Sequence, residues 1–134
     1  MIAQGQQRSA LFLDRDGVIN HEVGYLHRFA DVRWVEGIVP LCKTAQRLGY
    51  ALVVVTNQAG IARGFYSTAE FEELMRWMRS ELEAQGVMLD AVYHCPYHPQ
   101  HGLGQWKREH VDRKPGPGML FRACLLYTSP SPRD

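Results

Sequence analysis

The sequence predicts an α/β domain built on a central parallel sheet, and three observations lead there. Short apolar runs of strand length alternate with segments of helical period. The run Ala51-Leu52-Val53-Val54-Val55 is continuous and β-branched, as in a strand covered on both faces. The first two runs also end abruptly in polar residues, which places chemistry beyond the carboxyl ends of the strands, where parallel α/β sheets bind ligands. With 134 residues, 46% hydrophobic and 22% charged, the chain suits one globular domain rather than two.

Each element follows in order. Ala10-Leu11-Phe12-Leu13 reads as a buried strand that delivers Asp14-Arg15-Asp16-Gly17 at its end. Residues 18 to 36 keep no helical period and carry His21, Gly24, Tyr25, His27 and Trp34, so a compact loop or small hairpin, here called the flap, is expected. From Gly37 the stripe Ile38, Leu41, Cys42, Ala45, Leu48 predicts a helix with Pro40 in its first turn and Gly49 closing it. The second strand, over 51–55, runs into Thr56-Asn57-Gln58. Ser67-Thr68-Ala69-Glu70 has the spacing of a capping box, and Phe71, Leu74, Met75, Met78 and Leu82 form one face of a second helix that Gly86 stops. Leu89-Asp90-Ala91-Val92-Tyr93 is the third predicted strand, followed by a loop from Cys95 to Lys114 rich in His, Pro and Gly. Right-handed crossovers would then bring together Asp14 and Asp16, Thr56 and Asn57, and Arg113 and Lys114.

Composition removes several function classes. Fifteen Lys+Arg against 14 Asp+Glu give a net charge of +1, and the basic residues are scattered, so no nucleic-acid partner is expected. No apolar stretch approaches the ~18 residues that span a bilayer, and the start MIAQGQQRS lacks a signal-peptide core. Cys42, Cys95 and Cys124 are odd in number and follow no framework spacing. A cytoplasmic chain without disulfides, and without a membrane partner, is the expectation.

Three pieces can carry chemistry. Asp14 and Asp16, alternating past a strand, either cap a turn or supply one carboxylate to attack and another to move protons. Thr56-Asn57-Gln58-Ala59-Gly60-Ile61-Ala62-Arg63-Gly64 is either a helix N-cap with a flexible turn or a cradle for phosphate oxygens. Arg113-Lys114-Pro115-Gly116-Pro117-Gly118-Met119 mounts two cations before a rigid segment. A carboxylate nucleophile, an oxygen-ligated divalent metal and a Lys are the parts of phosphoryl transfer. None of the six histidines is assigned to catalysis. Trp77 is expected to pack, while Trp34 and Trp106 are left open between packing and stacking on a sugar.

Together, Phe12-Leu13-Asp14-Arg15-Asp16-Gly17-Val18-Ile19-Asn20, the Thr56 to Gly64 segment and the Arg113 to Met119 segment resemble the haloacid dehalogenase (HAD) superfamily. More narrowly they resemble its capless subfamily IIIA, which contains the heptose 1,7-bisphosphate 7-phosphatases and the histidinol-phosphate phosphatases. The resemblance implies a three-layer Rossmann-like fold and a Mg²⁺-dependent phosphomonoesterase that removes the 7-phosphate of D-glycero-D-manno-heptose 1,7-bisphosphate through an aspartyl-phosphate. That reaction would serve lipopolysaccharide or related glycan precursors. Histidinol phosphate is the alternative substrate, and a phosphate-binding module or fragment without turnover is the alternative of another class.

Carried over by position, the resemblance makes Asp14 the nucleophile and Asp16 the acid and base. Mg²⁺ would be held by Asp14 and the Asp16 carbonyl. Thr56 and Lys114 would hold and neutralise the phosphoryl group. Asn57, Gln58, Ala59 and Arg113 would bind substrate, with Glu22, Gly24 and Tyr25 of the flap on the sugar. A zinc loop of the family would place ligands at Cys95, Tyr97, His110 and Asp112. Only Cys95 keeps its ligand type, so a zinc-free loop is expected, although sets using Cys95, His98, His110 and Asp112, or His101, could be assembled.

Beyond Met119 the sequence lacks the family's further strand and Gly-Asp metal motif, and Asp134 stands in another context. The expectation is therefore an incomplete HAD-like domain over 1–123, missing its C-terminal strands. Residues 124–134 would be a non-native-looking tail, and the chain a monomer.

Overall fold

The computed structural model describes residues 8–124. Strands β1 (Ala10–Leu13), β2 (Ala51–Asn57) and β3 (Ala91–Cys95) form a parallel sheet with β2 in the middle. Ala10 to Leu13 pair with Ala51 to Val54, and Val53 to Asn57 pair with Ala91 to Cys95. All three strands therefore end on the same side.

The alternation of side chains along β2 builds two cores. Leu52 and Val54 join the larger one, with Ile38, Cys42, Phe71, Leu74, Met78 and Leu82. On the opposite face Ala51, Val53 and Val55 pack with Cys95, Met119 and Ala123. Helices thus lie on both faces of the sheet, the three layers that a strand apolar at every position requires.

Helix α1 (Ile38–Arg47) lies between Gly37 and Gly49, whose φ angles of 85° and 89° favour glycine. It buries Ile38, Cys42 and Ala45. Leu41 and Leu48, expected in the stripe, are instead 50% and 71% exposed, because the helix meets the sheet over a narrower arc and leaves that flank uncovered. A single turn, α2 (Ala59–Ala62), follows β2 within the segment that was read as either a helix N-cap with a flexible turn or a phosphate cradle.

Helix α3 (Thr68–Ala84) starts at the predicted capping box, Ser67 Oγ accepting from Glu70 N and Glu70 Oε1 accepting from Ser67 N. It buries Phe71, Leu74, Met75, Met78 and Leu82, the whole expected face. The third strand sits two residues later than predicted. Asp90 turns back before it instead, its carboxylate accepting from Leu52 N at 2.7 Å. Helix α4 (Gly118–Ala123), for which the sequence raised no expectation, covers the second core with Met119 and Ala123.

The flap is closed by a bridge between Asn20 and Trp34 and contains a 3₁₀ turn over Phe29–Asp31. Trp34 stacks near Trp77 at 6.3 Å, and Trp106 packs on Tyr97 at 5.6 Å. Cys42 and Cys95 are free and buried, and burial pushes both thiols up from their ordinary value. Among the described residues no helix is long and apolar enough to cross a membrane. Apart from Cys124, the expected tail lies outside the described residues.

Candidate active site

The three polar segments meet at the carboxyl ends of the strands. Asp14, the first residue after β1, places Oδ2 2.9 Å from Lys114 Nζ, and its Oδ1 accepts from Arg15 N at 2.8 Å. Its side chain remains 41% exposed, open to a ligand. Lys114 is placed by its own backbone: Asn57 Nδ2 donates to the Lys114 carbonyl at 3.1 Å, and Lys114 N donates to Asn57 Oδ1 at 2.9 Å. This amide clasp ties the end of β2 to the segment that carries the cation.

Asp16 is held much more tightly. Arg15, fully buried, donates from Nη2 to both Asp16 oxygens at 2.9 and 3.1 Å and from Nε to Oδ1 at 3.2 Å. Its guanidinium also reaches the Leu26 carbonyl at 3.2 Å and lies 5.5 Å from the centre of the Phe71 ring. A buried arginine without such partners would be strongly unfavourable. Asn20 Nδ2 donates to Asp16 Oδ1 at 3.0 Å and Gln58 Nε2 to Asp16 Oδ2 at 3.1 Å. Arg15, Asn20 and Tyr66, which reaches Gln58, were not singled out from sequence. The Arg between two aspartates was the available signal for the first, whereas nothing local marks Tyr66.

Thr56 and Gln58 are both buried, Thr56 Oγ1 accepting from Gln58 Nε2 at 2.9 Å and donating to the Asn57 carbonyl at 3.3 Å. The Gln58 side chain therefore works inward, and its backbone is engaged too, Gln58 N donating to the Cys95 carbonyl at 2.8 Å and its carbonyl accepting from Ile61 N at 3.1 Å. Arg113 Nη1 donates to the Tyr97 carbonyl at 3.3 Å and lines, with Lys114, His110, Pro99 and Gly116, a cavity of about 450 Å³. In the flap, Glu22 Oε1 accepts from Gly24 N at 2.9 Å. Tyr25, with φ of 56°, turns onto Phe65 at 4.8 Å and under the Arg63 guanidinium at 5.7 Å. A non-glycine residue in that region of φ is uncommon and belongs to a shaped turn.

Hard oxygens suitable for a small divalent cation are present. The Asp14 carboxylate is exposed, and the amides of Val18, Ile19 and Asn20 all turn to the Arg15 carbonyl, leaving that of Asp16 to other partners. A carboxylate and a carbonyl, completed by water and phosphate, match what Mg²⁺ accepts. The zinc candidates are differently engaged. Asp112 takes two hydrogen bonds from Arg122 at 2.6 and 2.7 Å, and His110 Nδ1 accepts from Asp112 N while its ring stacks on Tyr97 at 4.6 Å. Cys95 is buried in the second core. No cluster of three or more His, Cys, Asp or Glu suited to a metal occurs among the described residues.

No family model matches the chain. Individual relatives do. The chain is 48% identical over 116 residues to a D-glycero-β-D-manno-heptose-1,7-bisphosphate 7-phosphatase of Vibrio cholerae, covering 87% of this chain and 62% of that protein. It is 49% identical over 114 residues to a D-glycero-α-D-manno-heptose-1,7-bisphosphate 7-phosphatase of Burkholderia mallei, covering 85% and 60%. The chain thus spans about three-fifths of the length of the curated relatives it matches. A solved structure from Mesorhizobium loti described as a HAD-like phosphatase superposes with a TM-score of 0.84 at 40% identity, over 90% of this chain and 57% of that one. The D,D-heptose 1,7-bisphosphate phosphatase of B. bronchiseptica, solved with magnesium and phosphate, superposes with a TM-score of 0.76 at 28% identity, over 90% and 64%.

Proposed function

From a chain that belongs, over the residues it shares with them, with the HAD-like phosphatases and is homologous to heptose bisphosphate phosphatases, we propose a Mg²⁺-dependent phosphomonoesterase. Its substrate would be D-glycero-D-manno-heptose 1,7-bisphosphate, from which it would remove the 7-phosphate. The observation that carries the reading is the Lys114 ammonium 2.9 Å from an exposed Asp14 carboxylate, with Asp16 clamped two residues away.

In that reaction Asp14 attacks phosphorus, and the bond from phosphorus to the sugar oxygen breaks as Asp16 delivers a proton to that oxygen. Asp16 then takes a proton from water as the water opens the aspartyl-phosphate. Thr56 and the turn amides hold phosphoryl oxygens while Lys114 offsets their charge. Asp14 and the Asp16 carbonyl would hold Mg²⁺, which when bound supplies further charge neutralisation. Arg113 and the flap residues Glu22, Gly24 and Tyr25 would face the rest of the sugar. A cytoplasmic place in the supply of glycan precursors suits a phosphorylated sugar substrate.

The test is phosphate release with Mg²⁺ from the α and β anomers of the bisphosphate and from histidinol phosphate, for the chain and its Asp14→Asn variant. Release from a heptose anomer that disappears in the variant is the expected result. Release that survives Asp14→Asn, or a higher kcat/KM for histidinol phosphate, would overturn the assignment.

A further inference from the structure

Tyr66 stands outside every motif that points to phosphoryl transfer, yet its hydroxyl ends in the site. It is 5% exposed and donates to Gln58 Oε1 at 2.5 Å. The other end of the Gln58 amide donates to Asp16 Oδ2 at 3.1 Å and to Thr56 Oγ1 at 2.9 Å. One buried amide therefore touches both the proposed acid/base carboxylate and the hydroxyl that would hold a phosphoryl oxygen.

An amide can sit in such a pocket two ways round, and its neighbours decide which. An ionised Asp16 only accepts, so it requires the NH₂ end. The carbonyl end then needs a donor, and Tyr66 supplies it. With an N–H of Gln58 directed at it, Thr56 Oγ1 keeps its own proton to donate, here to the Asn57 carbonyl at 3.3 Å and to a phosphoryl oxygen when one is present. The ring is independently fixed: a Cβ at Gly60 would lie 2.1 Å from Tyr66 Cε1, so Tyr66 occupies the space that glycine leaves, and His27 stacks on it at 5.4 Å.

We propose that Tyr66 is a positioning residue: its hydroxyl fixes the Gln58 amide, and through it the placement of Asp16 and the donor direction of Thr56. The proposal rests on the phosphatase reading for its catalytic consequence, but not for the orientation of the amide.

Tyr66→Phe keeps the ring over Gly60 and removes only the donor. Two measurements test it. On the protein without substrate, the Gln58 side-chain NH₂ resonances in ¹⁵N-labelled protein should be slow to exchange with water and should exchange at least about tenfold faster in Tyr66→Phe, as expected when a buried hydrogen bond is lost. Unchanged exchange overturns the proposal. In turnover, kcat should fall roughly tenfold, within the ~100-fold that a misplacement of about 1 Å costs, with KM little altered. The same substitution made on Gln58→Ala should add almost nothing. Additive losses in that cycle would also overturn it. A chain that releases no phosphate would defeat the functional reading alone, and the exchange measurement would then decide the role of Tyr66.

Discussion

Asp14 and Asp16 are the same residue type two positions apart, yet their surroundings divide them. Asp14 is open and meets a single cation, whereas Asp16 is surrounded by a buried fork and two amides. Breaking the buried pair leaves a charge without its counterpart, so Arg15→Met should lower stability by about 3 kcal/mol or more, read from urea unfolding. Tyr66 carries a pH signature of its own. Chiefly because of burial, its phenol is pushed up to about 12, with the Arg15 charge opposing. The folded state thus holds that proton more tightly than an unfolded chain, whose tyrosines titrate near 10. Its contribution is complete below about pH 10 and is lost as pH rises from about 10 to about 12. Denaturant titrations at two alkaline pH values should show this fall in the parent and a smaller one in Tyr66→Phe.

At the scale of elements, α3 is the clearest case of sequence dictating structure. Ser67→Ala should cost about 1 kcal/mol by removing one half of its capping box, again measurable by urea unfolding. Its apolar face and the covered run of β2 were both legible because their periods match the surfaces they bury. Leu41 and Leu48 misled because periodicity reports an apolar arc, not how much of it the neighbouring layer covers. For β3 the apolar signal at Leu89 was real, since Leu89 is buried, but it packs before the strand begins. Helix α4 follows Pro115-Gly116-Pro117, a stretch that reads as loop, and is helical because Met119 and Ala123 have a second core to enter. In the site, Asp14, Asp16 and Thr56 could be read from strand ends, and Lys114 from the pair of cations mounted before Pro115. The Tyr66 to Gln58 to Asp16 chain could not, since it depends on a tertiary approach across a turn.

For the whole molecule, the site joins segments from β1, β2 and the loop after β3, so ligand binding should be felt as global stability. Saturating inorganic phosphate with Mg²⁺, at about 100 times its Kd, should stabilise by ~2.7 kcal/mol and raise Tm by roughly 10 °C. Lys114→Met should lose most of that shift in differential scanning fluorimetry.

The clasp between Asn57 and Lys114 joins residues 57 positions apart, and it has a consequence for the chain as it is made. A ribosome delivers Asp14 and Asp16 first and Lys114 roughly 5–20 s later at ~5–20 residues per second. During that interval Asn57 has no backbone to grip and Asp14 has no ammonium beside it. Under the proposed reaction, the nascent polypeptide would carry Asp14 in a silent form until the late segment docks and brings Lys114 beside it.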